Sequence, residues 1–512
     1  MISGLGAGIL TAVTPIAAHP LIRRAFVGRT SARFAEEVLE ANFRRRFPEY
    51  AVTRAIDTLR TTEYRRLDQG GHTYLDYTGG GVYAESQLRE HQALLSRRVF
   101  GNPHSGNPAS LAMTELVELT RATILNYFRA PPEEYVVVFT TNATGALRLV
   151  GEGYPFGSAA CYLLSVDNHN SVNGIREFAR RRGADVRYVP LTAPELRLDE
   201  AALVEELERR VAGPKLFAYP AQSNFSGVQH ALGWVDEAKR RGWDVLLDAA
   251  SFVPTNQLDL SACQPDFVPV SFYKLFGYPT GIGCLIARKE ALARLRRPWF
   301  AGGTITFSSV RALDDETDGY YLSPGAAGFE DGTINYLSVP AVTIGLRWLD
   351  QIGVDLIRTR VRALTAWLLD KLQTLLHANG RPVVRVYGPR DHVDRGATIA
   401  VNMLDAAGTT WDCWEVERLA NRRNLSLRSG CHCNPGAREV ALGFEHDELA
   451  ACFEGKDQLS YGEFLRRTRP STQGVVRVSL GVASTFHDVY RLLEFAKEFV
   501  DRPAGRMEET GL

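Results

Sequence analysis

Ser271-Phe272-Tyr273-Lys274-Leu275-Phe276-Gly277-Tyr278-Pro279-Thr280-Gly281-Ile282-Gly283 sets one lysine between an apolar strand and a glycine-rich turn. Because lysine is seldom buried, a lysine after an apolar strand is on its own more often a solvated surface residue, and it is the surrounding residues that give this one a role. Working outward, short β-rich runs alternate with helical stretches from Tyr74 to Arg288: Tyr135 to Phe139, Cys161 to Val166, Val186 to Val189, Leu216 to Tyr219, Val245 to Leu247, Val268 to Val270 and Ile282 to Ile286. This alternation predicts an α/β fold with a large, mainly parallel sheet covered on both faces. Leu337 to Leu375 reads as largely helical and leads to a smaller α/β lobe, with strands at Thr398 to Met403 and Val475 to Leu480 and a closing helix at Asp488 to Phe499. The expected division is an arm and helix over 1–70, a large domain over 71–345 and a small domain over 346–512. The Glu445 to Gln473 interval is mixed and polar and receives no assignment.

Lys+Arg and Asp+Glu both total 59, so no net charge attracts nucleic acid or an anionic membrane, and a small-molecule ligand is expected instead. Seven cysteines scattered through 512 residues do not make a disulfide framework, which points to a reducing cytoplasm. The apolar stretch from Met1 to Ala18 lacks a preceding Lys or Arg and is interrupted by Gly4, Gly6, Gly8 and Pro15. It is expected to be a packing arm rather than a secretion signal or membrane anchor. Ser31 to Phe47 carries Phe34, Val38, Leu39 and Phe43 at helical spacing, with Pro48 as a stop, and is expected to be a docking helix.

Upstream of Lys274, Trp243-Asp244-Val245-Leu246-Leu247-Asp248 reads as a buried strand ending in a carboxylate; downstream lies the two-thiol loop Arg428-Ser429-Gly430-Cys431-His432-Cys433-Asn434-Pro435-Gly436. A lysine-bound pyridoxal phosphate needs an amine, an acid at the ring nitrogen, a surface on the ring and donors for the phosphate. Lys274 is the candidate for the amine and for the base that moves the substrate Cα proton. Asp248 is the candidate acid, the alternative being a cap on the next helix. His169, in Asp167-Asn168-His169-Asn170-Ser171, is the candidate ring-stacking group. Phe139-Thr140-Thr141-Asn142-Ala143-Thr144-Gly145 reads as strand, turn and helix start, where free N–H groups hold a phosphate.

Together these residues resemble the class V branch of the fold-type I pyridoxal phosphate transferases, which includes the cysteine desulfurases. Tyr74-Leu75-Asp76-Tyr77, Gly101-Asn102-Pro103-His104-Ser105, Ala221-Gln222-Ser223-Asn224-Phe225-Ser226-Gly227, Phe329-Glu330-Asp331-Gly332-Thr333-Ile334-Asn335 and Cys433-Asn434-Pro435-Gly436 resemble the desulfurase domain of molybdenum cofactor sulfurases. The resemblance implies a homodimer with active sites near the subunit interface. It gives Lys274, Asp248 and His169 the roles above, makes Asn224 a contact to the ring hydroxyl, and places Asn142 and Ala143 at the phosphate. Ser271 joins the cofactor-binding set, and Thr333 is expected to reach the neighbouring subunit's phosphate. Arg477 aligns with the arginine that holds the substrate α-carboxylate, with Arg428 as a second candidate. Cys433 aligns with the sulfur-accepting thiol on what is expected to be a mobile loop, and Cys431 remains the alternative.

Departures from that pattern are expected in three places: the sequence, ending at Leu512, is expected to lack the C-terminal domain of long sulfurases, His432 stands between the two cysteines, and Arg438 occupies a position where sulfurases often have a third cysteine. The expectation is a cytoplasmic, dimeric desulfurase acting on L-cysteine or a related thiol amino acid, with an unidentified sulfur acceptor, no membrane, no nucleic acid and no metal. One rival keeps the cofactor but makes the enzyme a lyase or aminotransferase without a persulfide. Another treats Cys431, Cys433, Cys452 and a histidine as a zinc site, against which stands the Cys-x-Cys spacing.

Overall fold

The computed structural model describes residues 34–311, 319–453, 460, 463, 467 and 474–505. The expected arm over residues 1–18 lies outside them, as does most of the unassigned interval beyond the helix His446–Phe453. The chain divides into two compact units, Met1–Ala51 and Val52–Leu512. In the first, residues 34–46 are helical, as expected, and Phe43 is buried with its ring against Phe47 and Tyr50. Phe34 and Val38 are exposed, so the apolar face expected to dock is covered only at its far end.

The second unit is built on a seven-stranded sheet. Its strands are β1 (Tyr135–Thr140), β2 (Cys161–Ser165), β3 (Asp185–Val189), β4 (Lys215–Pro220), β5 (Asp244–Asp248), β6 (Phe267–Ser271) and β7 (Gly283–Arg288). Each coincides with one of the runs read from the sequence. The spatial order is β1-β7-β6-β5-β4-β2-β3. All neighbours from β6 to β3 pair in parallel, while β7 runs antiparallel between β1 and β6. Every residue of β2 and β6 is buried, as strands covered on both faces require. Each buried Val, Leu or Phe there contributes about 1.5–3 kcal/mol relative to exposure.

Helix α1 (Ala143–Gly153) follows β1, and the single-turn helix α2 (Phe272–Phe276) follows β6. The helical stretch expected from Leu337 is two helices, α3 (Val339–Ile352) and α4 (Val354–Gln373), separated at Gly353, where φ is 86°. Beyond them a four-stranded antiparallel sheet takes the order β8-β9-β11-β10, with β8 Val384–Tyr387, β9 Thr398–Met403, β10 Arg428–Gly430 and β11 Val475–Ser479. Helix α5 (Pro435–Leu442) starts just after the two cysteines and α6 (Phe486–Lys497) closes the chain. Both sheets lie within the Val52–Leu512 unit.

Because β1, β2, β4, β5 and β6 run the same way, their carboxyl ends open along one edge, the place where open α/β sheets bind ligands. β7 begins at that edge, with Gly283 paired to both Thr140 and Ser271. A Cβ on Gly283 would lie 2.6 Å from Asn142 Cα and from Val270 O. Gly283→Ala therefore pushes backbone against backbone at the strand edge, and its expected cost is about 1–3 kcal/mol, read as a lowered urea midpoint. An unchanged midpoint would show that the Asn142 turn moves aside freely.

Candidate active site

The carboxyl edge of the large sheet holds a cleft of about 460 Å³ whose lining includes Asn142, Ala143, His169, Asn224, Asp248, Ser271 and Lys274. The sequence scattered these residues over the ends of five strands, and the parallel sheet brings them together. Lys274 sits on α2, just past the end of β6, half-buried, and no described residue hydrogen bonds or ion-pairs with its Nζ. Burial pushes its pKa below the usual lysine range; Asp248 pulls it back up, while Arg477 and Arg428 lower it further. An amine so placed is neutral more often than a surface lysine, and so a better nucleophile.

Asp248 ends β5 and is 9% exposed, with Oδ1 accepting the Ala250 N–H at 3.0 Å. His169 caps the short helix Asn170–Asn173, its Nδ1 accepting the Ser171 N–H at 3.1 Å. That bond leaves Nε2 to carry the ring proton, and burial lowers the imidazole pKa against the opposing pull of Asp248. A neutral ring suits stacking on a flat ligand.

The Asn142 side chain is occupied: its Oδ1 caps α1 by accepting the Gly145 N–H at 2.9 Å. What Asn142 and Ala143 offer an anion is therefore the α1 N-terminus, with the Thr144 and Ser171 hydroxyls alongside, 2.9 Å apart. Ser271 Oγ accepts a long bond from Ala143 N at 3.3 Å and ties α1 to β6. A free amine, a carboxylate, an imidazole and a helix N-terminus around one cleft fit a flat phosphorylated pyridine aldehyde.

The cysteine loop is a tight turn. His432 and Cys433 both have positive φ, 54° and 53°. Cys433 O accepts the Asn170 N–H at 2.7 Å, one residue from His169. Asn434 Nδ2 donates to Asp167 O at 2.7 Å and to Asn224 Oδ1 at 2.8 Å, while Asn224 Nδ2 donates to His432 O at 2.8 Å. Asn224 thus spends both ends of its carboxamide on holding the turn, a task the sequence did not reveal. Gly436 lies so close to β2 that a Cβ there would meet Val166 O at 2.2 Å. Cys433 is exposed and Cys431 less so, which places the more accessible thiol at the position preferred from the sequence.

Asn434→Ala would strip both bonds from groups buried beneath the turn, each loss costing about 1–3 kcal/mol. Its expected signature is faster amide exchange across residues 430–436 in a protein that stays folded. Unchanged exchange would remove the carboxamide from the account of the turn.

Arg477 is 3% exposed, with Nη2 on Asp76 Oδ1 at 3.0 Å and Nη1 on Asn224 O at 3.1 Å; its Nε is buried without a partner among the described residues. Arg428 clasps the same Asp76 carboxylate, with Nη2 at 2.7 Å from Oδ2. Asp76 was quoted from the sequence but given no role; it holds both arginines, which line no part of the cleft themselves but lie near enough to Lys274 to lower its pKa. Ser251 and Gln222 also line the cleft and were missed. Their one sequence signal was a position just past an apolar strand. Thr333 does not line this cleft but an adjoining one of about 450 Å³, which shares Thr141 and Gly281 with it. Among the described residues no group of three or more His, Cys, Asp or Glu is placed to hold a metal ion, and no helix is long and apolar enough to cross a membrane.

The aminotransferase class-V family model matches residues 73–492. The molybdenum cofactor sulfurase of Solanum lycopersicum is 36% identical over 473 residues, covering 86% of this chain and 57% of that protein. The chain thus spans somewhat over half the length of that curated relative. The fold is similar to that of the cysteine desulfurase from Thermococcus onnurineus NA1, with a TM-score of 0.69 at 23% identity over 87% of this chain and 98% of the other. It is also similar to a C-DES mutant whose structure has glycine covalently linked to its PLP cofactor, with a TM-score of 0.64 at 17% identity over 86% and 99% of the two chains.

Proposed function

Because the chain belongs to the class V aminotransferase family, we propose that it holds pyridoxal phosphate in this cleft and works as a cysteine desulfurase of the sulfurase type. When bound, the cofactor supplies an electron sink for the bonds broken at a substrate amino acid. Lys274 anchors it and then takes the substrate Cα proton on Nζ. Asp248 keeps the ring nitrogen protonated, His169 covers one face, and the N-terminus of α1 with Ser271 receives the phosphate. Arg477 and Arg428, which also bond to Asp76, orient the α-carboxylate. Cys433 Sγ, as thiolate, attacks the substrate sulfur: an S–S bond forms, the substrate Cβ–S bond breaks, and its electron pair takes up a proton to leave alanine. The products are alanine and a Cys433 persulfide, with no outside oxidant or reductant.

The observation that carries this reading is the exposed Cys433 on a turn whose Cys433 O accepts the Asn170 N–H, next to His169, which lines the cleft together with a Lys274 amine that no described residue partners. The substrate is L-cysteine or a related thiol amino acid, and the persulfide goes to an acceptor, a small molecule or carrier protein, in a reducing cytoplasm. The enzyme works as a homodimer. Supporting that are the exposed aromatic side chains Trp299, Phe300, Phe307 and Tyr321 and the position of Thr333 in the adjoining cleft.

The purified protein supplied with L-cysteine and dithiothreitol is expected to release sulfide and alanine in equal amounts. A yellow protein that makes neither would return the cleft to the lyase or aminotransferase reading.

A further inference from the structure

A further cavity, of about 250 Å³, lies where α4 faces the segment that leads into β9, and it is lined by Gln229, Arg358, Arg362, His392, Asp394 and Arg395 among others. Arg395 is 5% exposed, yet it forms no ion pair with a described residue. Its Nη1 and Nη2 donate only to neutral carbonyls, Pro389 O and Thr398 O, and its Nε is buried with no partner among the described residues. Burial pushes its pKa down to about 9; Asp391 opposes this and Arg197 adds to it. A cation taken out of water without a counter-charge is unfavourable, so the site favours whatever anion can reach it.

Two more arginines stand in the lining against a single carboxylate there, that of Asp394. Arg358 and Arg362 stand four residues apart on α4, both exposed, and neither ion-pairs with a described residue. The carboxylates nearby are Asp391, which acts on Arg395 from outside the lining, and Asp394, whose side chain is 72% exposed and lies 3.9 Å from Arg197. Guanidinium groups in the lining of a small polar cavity suit the oxygens of a tetrahedral oxyanion.

We propose that this cavity, outside the active cleft, binds a phosphate group through Arg395, Arg358 and Arg362, carried either by free inorganic phosphate or by a small phosphate monoester. The site backs onto the active cleft: Gln229 Nε2 donates to Gln222 Oε1 at 3.0 Å, and Gln222 lines the cleft while packing directly on Gly396. The assignment stands on the cavity alone and does not depend on the desulfurase reading.

The test is calorimetric titration of the cofactor-saturated protein, whose active-site phosphate cradle is already filled, with inorganic phosphate and with glycerol 3-phosphate. Saturable binding at one site per chain is expected, weakened about tenfold or more by the surface double variant Arg358→Gln/Arg362→Gln. Equal affinity for the two probes identifies the free ion, and tighter binding of the ester identifies a phosphorylated metabolite. Absence of binding at millimolar concentration, or equal binding by the double variant, overturns the proposal. Arg395→Gln, if it folds, is expected to abolish binding; the double variant decides the matter where it does not.

Discussion

Lys274→Ala will yield a folded, colourless protein whose turnover of L-cysteine is lower by about ten-thousandfold or more. Two losses combine in one atom. Without Nζ nothing in the cleft anchors the cofactor aldehyde, and no other described side chain in the lining is an amine that could replace it. In the proposed function the same Nζ is the base for the Cα proton, and general base catalysis by a positioned group is itself worth about 10²–10⁴. Absorbance of the bound cofactor, measured beside sulfide release, separates the two, because an added amine can restore proton transfer without restoring the covalent anchor. Wild-type colour with wild-type turnover in the variant would remove Lys274 from the chemistry.

The lowered pKa of Lys274 gives this prediction a pH arm. Burial makes the folded chain bind the amine proton more weakly than the unfolded chain does. Below the usual lysine pKa the unfolded state therefore carries more protons, and cofactor-free protein gains stability as pH rises through the window between the folded and unfolded pKa values. Lys274→Ala is expected to flatten that rise in a series of urea midpoints. An identical pH slope in both proteins would mean that Nζ is as well solvated in the folded protein as in the unfolded chain.

The sheet was legible because strands buried on both faces have no choice but to be apolar runs, and seven such runs stand in the sequence. The reversal of β7 was not, since an apolar run carries no direction. The amine, acid and imidazole of the cleft were legible for a related reason: each lies at or just beyond the end of one such run, where a parallel sheet must collect them. What stayed hidden was pairing across the chain. Asp76 meets Arg428 and Arg477 over separations of 352 and 401 residues, and Asn224 meets Asn434 over 210. Local pattern does not encode such partners. Asn224 was accordingly given only to the cofactor, with no sign that its carboxamide also bonds within the cysteine turn, and the remote restraints on that turn had no local signal. The 34–46 helix shows the converse: its period was right, but period alone does not say whether a partner surface covers Phe34.

Cys433→Ser should keep the cofactor's colour and lose sulfide release by about a thousandfold or more. Serine preserves the turn, since what holds it is backbone and carboxamide: Cys433 O to Asn170 N, Asn434 to Asp167 O and Asn224. It removes only the nucleophile, because a hydroxyl neither ionises near neutral pH nor attacks sulfur as a thiolate does. Lys274 and Asp248 are untouched, so exchange of the substrate Cα proton with deuterated solvent should continue at a rate near that of the wild type. That pairing, exchange kept and sulfide lost, is the outcome a merely structural cysteine would not give. Cys431→Ser is the internal control, for the less exposed thiol is expected to leave both rates within about threefold. If instead Cys431→Ser abolishes sulfide and Cys433→Ser does not, the sulfur acceptor is the buried-side thiol and the turn must open during each cycle. If both variants release sulfide at the wild-type rate, sulfur leaves without a persulfide, and the cleft belongs to a lyase.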